Sequence, residues 1–471
     1  MTDLSRLLLP AATRAAISLR LIAADDWHRE AGKLSARDRT WAEAQGFSAA
    51  PLSLLPLAEA SGKVSAVLVG APRPDADPFT LGKLVWSLPP GTYRFADAAG
   101  AGEIVALAWL LEAYAYDPFR PAKSARAALV CPAGVDRALV LRMAETVHQV
   151  RDLVNTPANL LGPDELEATV KATARAHGAR VAVTRGAALA RNFPLIHVVG
   201  QASPRAPRLI DLTWGNPRHP KVTLVGKGVC FDSGGLDLKP AAGMALMKKD
   251  MGGAASVLGL ARLVMAEKLP VRLRVLIPAV ENAVSGAAFR PGDVFRTRKG
   301  LTVEIGNTDA EGRLILCEAL ALGDEEKPDL LINMATLTGA ARVALGPDLP
   351  PFYTDDDDLA AAIARHAAAQ NDPLWRLPLW RPYDALYDSP VADMNNNGTA
   401  GFAGSIQAAL FLRRFVERAR SFVHFDLYAW VPKARPGRPM GGEAQAIRAL
   451  FTLLRERHGK VVAARRTSRH N

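Results

Sequence analysis

The chain has 471 residues, of which 49% are hydrophobic and 6% aromatic, and its formal net charge is +11. This length and composition permit a large buried core in two or three domains, and they argue against disorder. The three cysteines lie far apart and form no CxxC pair, which argues against a disulfide framework or a zinc knuckle.

The N-terminal segment is interrupted by Arg6, Arg14 and Arg20, so no apolar stretch typical of a secretory signal forms there. No apolar run approaches the length of a membrane span. We therefore expect a cytoplasmic protein that does not enter a membrane. The positive charge permits contact with nucleic acid, but lysines and arginines do not alternate with aromatic residues in any stripe. A solubilising surface charge is the favoured interpretation, with nucleic-acid binding as the alternative.

The first part of the chain shows α/β patterning without a charged cluster. Strand-like apolar runs at 63–71 and 125–133 flank a helical pattern at 101–116. A second helical pattern, 137–161, ends in a turn rich in proline and asparagine. We therefore predict an N-terminal α/β domain over residues 1–160, including a linking helix.

From about residue 165 onward, apolar strand-like runs alternate with helical patterns. The predicted strands are 180–186, 194–201, 208–214, 221–229, 272–281, 301–306, 329–337 and 422–430. The predicted helices are 252–269, 312–326, 358–369, 405–419 and 443–457. This alternation predicts an α/β fold with a larger second domain, 161–471, whose mostly parallel central sheet is covered by helices. Functional residues of such sheets gather at the carboxyl ends of the strands.

Several common catalytic motifs are missing from the sequence. There is no HExxH, GxSxG, GxGxxG or GxxxxGK[ST] motif, so no local motif supports a zincin, nucleophile-elbow, dinucleotide-binding or P-loop site. No histidine occurs between His219 and His366. A metal site within that span would have to use oxygen ligands, with lysine as an additional ligand.

Charged residues follow the predicted strands at three places in this span. The sites are Lys227, Asp232 and Lys239 in segment 224–240, Asp250 in segment 247–260, and Asp309, Glu311 and Arg313 in segment 304–316. Each of these residues also has an ordinary explanation, as a turn residue, a helix cap, a first-turn carboxylate or a surface ion-pair partner. Their joint position at strand ends of one sheet favours a common site.

The spacing in "NTDAEGRL" suggests how such a site would form. In an extended segment, residues two apart share a face, so Asp309, Glu311 and Arg313 would converge on one pocket. Carboxylates in a water-poor crevice repel each other, and a pair of divalent cations about 3.5–4 Å apart removes that repulsion. A lysine can bind a metal only as the neutral amine. Lys227 and Lys239 would then have different roles, one on a metal and one facing the substrate.

The same residues lie in blocks that resemble those of a known family. "VGKGVCFDSGG", "KPAAGMALMKKDMGGAA", "ENAVSGAAFRPGDV", "NTDAEGRL" and "ATLTGA" are similar to the signature blocks of the leucine aminopeptidase (cytosol aminopeptidase) family. "RDLVNTPANLLGP" resembles the segment that links its two domains. The resemblance covers residues 150 to 430, whereas the N-terminal residues match only in general character.

This resemblance implies an exopeptidase with two divalent metal ions, Mn or Zn, in each subunit. One ion would be held by Lys227, Asp232, Asp250 and Glu311, and the other by Asp232, Glu311 and Asp309, including the Asp309 backbone carbonyl. Lys239 would polarise the scissile carbonyl, and Arg313 would hold a bicarbonate ion that acts as the general base. The family also implies peptide substrates with a free N-terminus and a homohexamer.

The resemblance also places a pocket for the first side chain of the substrate. Its residues would be Met247, Asn307, Ala310, Thr336, Leu337 and Gly339. This small and apolar lining favours first residues such as leucine or methionine. The chain departs from the family pattern at Asn333, Lys249 and Glu443.

Two other functions stay open at this stage. The chain could be a basic DNA-binding or regulatory homologue in which aminopeptidase activity is secondary, or a homologue that has lost turnover. The unchanged metal and catalytic positions favour an active metallo-aminopeptidase.

Overall fold

The chain folds into two compact units, each described here by itself. The computed structural model describes residues 3–96, 102–120, 127–398 and 401–459. The two units comprise Met1–Asn155 with Trp430–Glu443, and Thr156–Ala429 with Ala444–Asn471. The sequence patterns did not indicate that segment 430–443 belongs with the first unit. The functional division of the chain after residue 160 stays a prediction.

The first unit contains a six-stranded sheet. Its strands, in spatial order, are Leu8–Leu9, Ala127–Val130, Gly91–Phe95, Ile17–Ile22, Val64–Gly70 and Leu54–Ala58. All neighbouring strands are parallel except the last pair, which is antiparallel. The predicted strands at 63–71 and 125–133 are confirmed within the described residues, which begin at 127 for the second.

The helices of the first unit are mostly short. They are Trp27–Ala31, Ala36–Ala44, Leu84–Ser87, Glu103–Glu112 and Arg137–Asn155. The last two confirm the predicted helices, although the second ends at Asn155, six residues before the predicted end at 161. The strands Trp430–Val431 and Gly441–Gly442 form a separate antiparallel pair in this unit. Glu443 is buried here and pairs with Arg151 at 2.9 Å, so this departure from the family pattern has a structural partner.

The second unit is built on a nine-stranded sheet, most of whose central strands are parallel. Eight strands lie in the order Trp375–Arg376, Pro351–Tyr353, Phe422–Asp426, Leu330–Ala335, Lys221–Gly226, Arg272–Asn282, Arg208–Trp214 and Arg180–Arg185. The ninth strand, Gly228–Asp232, pairs with Arg272–Asn282. Antiparallel pairs occur toward both ends of the order, whereas the central pairs are parallel. Every residue of strand Leu330–Ala335 is buried, as expected for a strand covered on both faces.

The strands predicted at 194–201 and 301–306 differ from the structure, the first in type and the second in the sheet it joins. The predicted strand 194–201 is wrong, because Pro194–Gly200 is a helix with a proline at its first position. A short apolar run does not distinguish a buried strand from a buried helix, and proline fits the first turn of a helix. The predicted strand 301–306 is present as Thr302–Glu304. It belongs to a separate three-stranded sheet rather than to the central one.

Helices surround the sheets of the second unit. The α-helices are Pro163–His177, Gly186–Asn192, Pro194–Gly200, Ala241–Met244, Gly252–Ala266, Glu311–Glu325, Gly339–Leu345, Asp357–Ala369, Gly404–Arg413 and Ile447–His458. The short strands Val294–Arg296 and Met394–Asn395 complete the three-stranded sheet with Thr302–Glu304. Within the described residues, no helix combines the length and apolar character needed to span a membrane.

Close packing brings one helix start against the end of a central strand. A Cβ atom on Gly253 would lie 2.2 Å from the carbonyl oxygen of Met334. Only glycine allows this approach, because any side chain would collide with backbone. The helix Gly252–Ala266 is buried at nearly every position, and it begins two residues after Asp250, one of the predicted site residues.

Candidate metal centre and active site

Lys227 lies at a break between two strands of the large sheet. The predicted strand 221–229 is two strands in the structure, Lys221–Gly226 and Gly228–Asp232. The Lys227 N–H donates to the carbonyl of Met334 at 3.1 Å, and the residue is only 3% exposed. The break therefore fixes a buried lysine at the carboxyl end of a central strand.

Asp232 ends the next strand and is held by a residue that the sequence argument missed. Asn282 pairs with Asp232 across the strands, and its Nδ2 donates to Asp232 Oδ1 at 2.9 Å. The same amide donates to the carbonyl of Thr308 at 3.1 Å. Asn282 thus connects the Asp232 strand to the turn that precedes Asp309. In the sequence, only the position of Asn282 in the family-like "ENAVSG" block pointed to a role in the site.

Asp309 and Glu311 do not belong to an extended segment, so that part of the prediction is wrong. Glu311 is the first residue of the helix Glu311–Glu325, and Asp309 lies in the turn before it. The Asp309 N–H donates to Asn307 Oδ1 at 2.7 Å, which stabilises the turn. Glu311 is a first-turn carboxylate but is only 1% exposed. The position of Glu311 in the first turn of this helix, and not the alternation of an extended strand, therefore places its carboxylate in the site.

Asp250 lies on a short 3₁₀-helix, Met247–Met251, rather than capping the following helix. Met251 is the N-cap of helix Gly252–Ala266, and no side chain caps that helix. Asp250 Oδ1 accepts a hydrogen bond of 2.8 Å from Thr336 Oγ1. The helix-cap explanation of Asp250 is therefore excluded.

These elements bring both lysines onto the carboxylates. Lys227 Nζ lies 2.6 Å from Asp250 Oδ2 and 2.8 Å from Glu311 Oε1. It also donates to the carbonyl of Thr336 at 2.9 Å. Lys239 Nζ lies 2.8 Å from Asp232 Oδ2 and contacts Asp309 Oδ1 as well.

Glycine at position 312 makes room for one of these lysines. A Cβ atom on Gly312 would lie 2.6 Å from Cε and 2.7 Å from Nζ of Lys227. The backbone at the start of the helix thus packs directly on the amine end of the lysine. A residue larger than glycine at position 312 would collide with the Lys227 side chain.

Three buried carboxylate oxygens in this cluster depend on the lysines for their partners. Among the described residues, Asp250 Oδ2, Asp309 Oδ1 and Glu311 Oε1 are contacted by the ammonium groups of Lys227 and Lys239 and by no backbone or hydroxyl donor. One ligand oxygen each from Asp232, Asp309 and Glu311 fall within 4.8 Å of one another. Buried carboxylate oxygens are ligands for hard divalent cations, so the residues present fit a metal centre.

Crowding and burial oppose ionisation of the acidic groups. Burial, followed by the charge of Asp232, raises the pKa of Glu311 to about 8 and that of Asp309 to about 6. Burial also raises the pKa of Asp250. Groups of the same charge held this close cannot all ionise without a cation between them.

The lysines respond in the opposite direction. Burial by itself lowers the pKa of Lys227, but the charges of Asp250 and Glu311 more than offset it and hold this pKa above its usual value. Burial likewise opposes the charge on Lys239, and neighbouring carboxylates, Asp232 first, raise its pKa. Both amines are therefore protonated and act as counter-ions of the carboxylates.

Arg313 lies inside the protein rather than in a surface ion pair. Its NH1 donates to the Tyr387 hydroxyl at 2.8 Å and to the Asn396 carbonyl at 2.9 Å. Its Nε is buried and has no hydrogen-bond acceptor among the described residues. Two neutral acceptors leave the guanidinium charge uncompensated, which favours a bound anion beside it.

The predicted residues meet in one cavity of about 690 Å³ in the second unit. All predicted site residues except Glu311 line it, and Glu311 lies buried just outside the lining. The lining residues are Lys227, Asp232, Lys239, Pro240, Ala242, Gly243, Leu246, Met247, Lys249, Asp250, Asn307, Asp309, Ala310, Gly312, Arg313, Thr336, Leu337, Thr338, Gly339, Ala340, Arg342, Asn397, Gly404, Leu427 and Tyr428.

One wall of the cavity contains residues to which the sequence analysis gave no role. Lys249 is 5% exposed, and its Nζ lies over the Tyr428 ring at 4.8 Å from the centroid. Burial lowers the pKa of Lys249 to about 8. Asp426, two residues before Tyr428, accepts hydrogen bonds of 3.0 Å from the N–H groups of Leu337 and Thr338. Lys249 was noted only as a departure from the family pattern, and nothing local indicated that it reaches the cavity.

The sequence and its fold are similar to those of known peptidases. Residues 148–451 match the family described as "Cytosol aminopeptidase family, catalytic domain". Residues 17–132 match "M17 aminopeptidase, N-terminal domain". A probable cytosol aminopeptidase of Rhizobium johnstonii is 43% identical over 339 residues, covering 68% of each chain. One from Syntrophotalea carbinolica is 41% identical over 329 residues, covering 69% of this chain and 65% of the relative.

Two solved structures extend the similarity to nearly the whole chain. The cytosol aminopeptidase of Coxiella burnetii superposes with a TM-score of 0.91 at 44% identity, covering 96% of this chain and 99% of that one. The bottromycin maturation enzyme BotP in complex with Mn gives a TM-score of 0.83 at 33% identity, covering 94% and 99%. The similarity includes both units and the segment that contains the cavity.

Proposed function

The chain belongs to the cytosol aminopeptidase family, and from that premise we propose that it removes the first residue of peptides with a free α-amine. The observation that carries the proposal is the buried cluster of two lysines and four carboxylates on a cavity of about 690 Å³. Such a cluster is stable without metal only through its lysine counter-ions. It is suited to exchange those cations for divalent ions.

The residues that would hold two ions follow from the cluster. Lys227, Asp232, Asp250 and Glu311 would hold one ion, and Asp232, Glu311 and Asp309, with its backbone carbonyl, the other. BotP was solved in complex with Mn, and we propose that the two ions bound by this chain are Mn or Zn. When bound, the ions supply Lewis acidity and lower the pKa of a bound water.

The protein residues around the cluster supply the other requirements. Lys227 has to release its proton to become a ligand, which the loss of facing negative charge on metal binding favours. Lys239, with 14% of its side chain exposed, would place a positive charge beside the scissile carbonyl. Arg313, whose Nε lacks an acceptor among the described residues, would hold a bicarbonate ion as general base.

The first side chain of the substrate would occupy the part of the cavity outside the lysine–carboxylate cluster. We assign this pocket to Met247, Asn307, Ala310, Thr336, Leu337 and Gly339, all of which line the cavity. The small and apolar members suit leucine or methionine. We further propose that the protein acts in the cytoplasm as a homohexamer in peptide turnover, as the family resemblance implies.

Cleavage of a blocked substrate tests the proposal. Purified protein loaded with Mn²⁺ or Zn²⁺ is expected to hydrolyse leucine amide but not N-acetyl-leucine amide, because the free amine is required in the site. Release of leucine is measured in both reactions, with a chelator-treated sample as the control. Equal rates on the two substrates would refute the proposed mechanism.

A further inference from the structure

Lys249 is a buried cation on the cavity wall that the proposed chemistry does not use. It is 5% exposed, no described residue forms an ion pair or hydrogen bond with its Nζ, and that Nζ lies over the Tyr428 ring. The carboxylates near it are already engaged. Asp250 contacts Lys227 and Thr336. A buried charge without an anionic partner is costly, and it marks a position where an anion is stabilised.

The neighbouring carboxylate of Asp426 is engaged as well. Its Oδ1 accepts from the N–H groups of Leu337 and Thr338, and its Oδ2 accepts from the hydroxyls of Thr338 and Ser405. These four donors are neutral, so the negative charges of Asp426 and Asp250 still favour the Lys249 ammonium from a distance. Within the described residues, however, no carboxylate forms an ion pair or hydrogen bond with Lys249 Nζ.

Lys249 lines the same cavity as the residues assigned to the first side chain. Lys249 belongs to the same 3₁₀-helix as Met247, and it directly precedes the proposed metal ligand Asp250. Arg342 adds a second positive charge to this wall, with its guanidinium 5.1 Å from the centre of the Tyr428 ring. An apolar pocket that is positively charged on one wall accepts a side chain with methylene groups and a terminal carboxylate.

We propose that Lys249 is a specificity residue that lets the pocket accept an acidic first side chain, glutamate or aspartate, in addition to apolar ones. This inference rests on the proposed aminopeptidase function. The ammonium would pair with the substrate carboxylate, while the methylene groups of that side chain contact the same lining as a leucine. Lysine or arginine at the first position would be disfavoured, because its charge would face Lys249 and Arg342.

Glutamate and glutamine provide the sharpest comparison, because they have nearly the same shape and differ in charge. With the Mn²⁺-loaded protein, kcat/KM is measured on glutamyl, glutaminyl, leucyl and lysyl amides of one leaving group. We expect the wild type to prefer glutamyl over glutaminyl by about tenfold or more, the range of a buried charge-assisted hydrogen bond. Lys249→Met should abolish this preference, and Lys249→Arg should retain most of it.

Lys248→Met is the matched control, because it removes the adjacent lysine, which does not line the cavity. The control should keep the wild-type ratio of glutamyl to glutaminyl cleavage. A wild-type ratio near one, or a ratio that Lys249→Met leaves unchanged, would overturn the assignment of Lys249. A ratio lowered equally by Lys248→Met would overturn it too, since general surface charge would then explain the preference.

A binding measurement separates this inference from the proposed function. Titration calorimetry with free L-glutamate and L-glutamine, neither of which is cleaved, reports the subsite directly in the wild type and in Lys249→Met. Tighter Lys249-dependent binding of glutamate in a protein that cleaves none of the amides would support the subsite and refute the peptidase. Cleavage with no charge preference would support the peptidase and refute the subsite. Neither cleavage nor a binding preference would refute both.

Discussion

Replacing Lys227 with methionine is expected to destabilise the metal-free protein strongly. Lys227 Nζ lies 2.6 Å from Asp250 Oδ2 and 2.8 Å from Glu311 Oε1, and the lysine is 3% exposed. Methionine retains much of the aliphatic stem but leaves both carboxylates without a cation. Removing one partner of a buried ion pair costs about 3–5 kcal/mol.

Proton uptake reduces this cost. Burial and the charge of Asp232 already raise the pKa of Glu311 to about 8, so this group can be neutral near pH 7. We therefore expect a net loss near the lower end, about 3 kcal/mol, or roughly 6 °C in the unfolding temperature of a unit of this size.

The loss should also depend on pH in a defined direction. Wild-type Glu311 keeps its proton up to about pH 8, and loss of Lys227, whose charge lowers that pKa, should move the release to higher pH. Above pH 8 the native variant therefore holds a proton that the native wild type has released, so the variant loses more stability as pH rises. The deficit relative to wild type should be larger at pH 9 than at pH 7. Thermal unfolding in the presence of a chelator at both pH values measures it.

Lys33→Met is the control for this experiment. Lys33 pairs with Glu30 at 2.7 Å but has 64% of its side chain exposed, so its loss should leave the stability nearly unchanged. If Lys227→Met destabilised the protein no more than the control does, or by the same amount at both pH values, Lys227 would not neutralise the cluster.

Three further changes test other parts of the site and the core. Asp309→Ala should lose metal and activity together, because it removes an oxygen from the carboxylate cluster; metal content and leucine amide hydrolysis are measured on the same sample. Lys239→Ala should retain metal but lose roughly 100-fold or more in kcat, the scale of losing one donor to a developing oxyanion. Glu318→Gln should remove a pH dependence of stability, because burial raises the pKa of Glu318 to about 7. The pKa of Glu318 is 4.5 in the unfolded chain, so between pH 4.5 and about 7 the folded state holds a proton that the unfolded state has released. The stability of the wild type therefore falls by about 3 kcal/mol as the pH rises through this window.

Each of these three has an outcome that contradicts it. Full metal content in Asp309→Ala would remove that residue from the ligand set. A normal kcat in Lys239→Ala would remove that lysine from the chemistry. If denaturant unfolding of Glu318→Gln followed the wild type in parallel from pH 4.5 to 7, the buried carboxyl would not titrate in that window.

Regular repeating patterns made much of the second unit predictable. The strands Arg180–Arg185, Arg208–Trp214 and Leu330–Ala335 lie within predicted ranges, because short runs rich in β-branched and other apolar residues favour strands. Segment 194–201 was mispredicted because its length suits both structures. The helix that forms there packs Leu195 and Ile196 into the core, a tertiary preference that the local pattern does not contain.

Most of the candidate site was also predictable, although its geometry was not. The carboxylates and lysines between residues 227 and 313 were identified from their types, from the lack of histidine in that span, and from family-like motifs. The extended arrangement of Asp309 and Glu311 was wrong, since the helix begins at Glu311. An extended strand and the start of a helix can each place Asp309 and Glu311 on the same side of the backbone. The two-residue spacing alone therefore does not distinguish a strand from a helix start.

The sequence by itself determined the α/β class, the family and the chemical types available in the site. Only the tertiary structure decided that Lys227 contacts Asp250 and Glu311, that Asn282 holds Asp232, and that Lys249 reaches the cavity. These partners come from different strands and helices that are far apart along the chain. Their meeting depends on strand order and side-chain packing, and no local pattern of residues encodes either one.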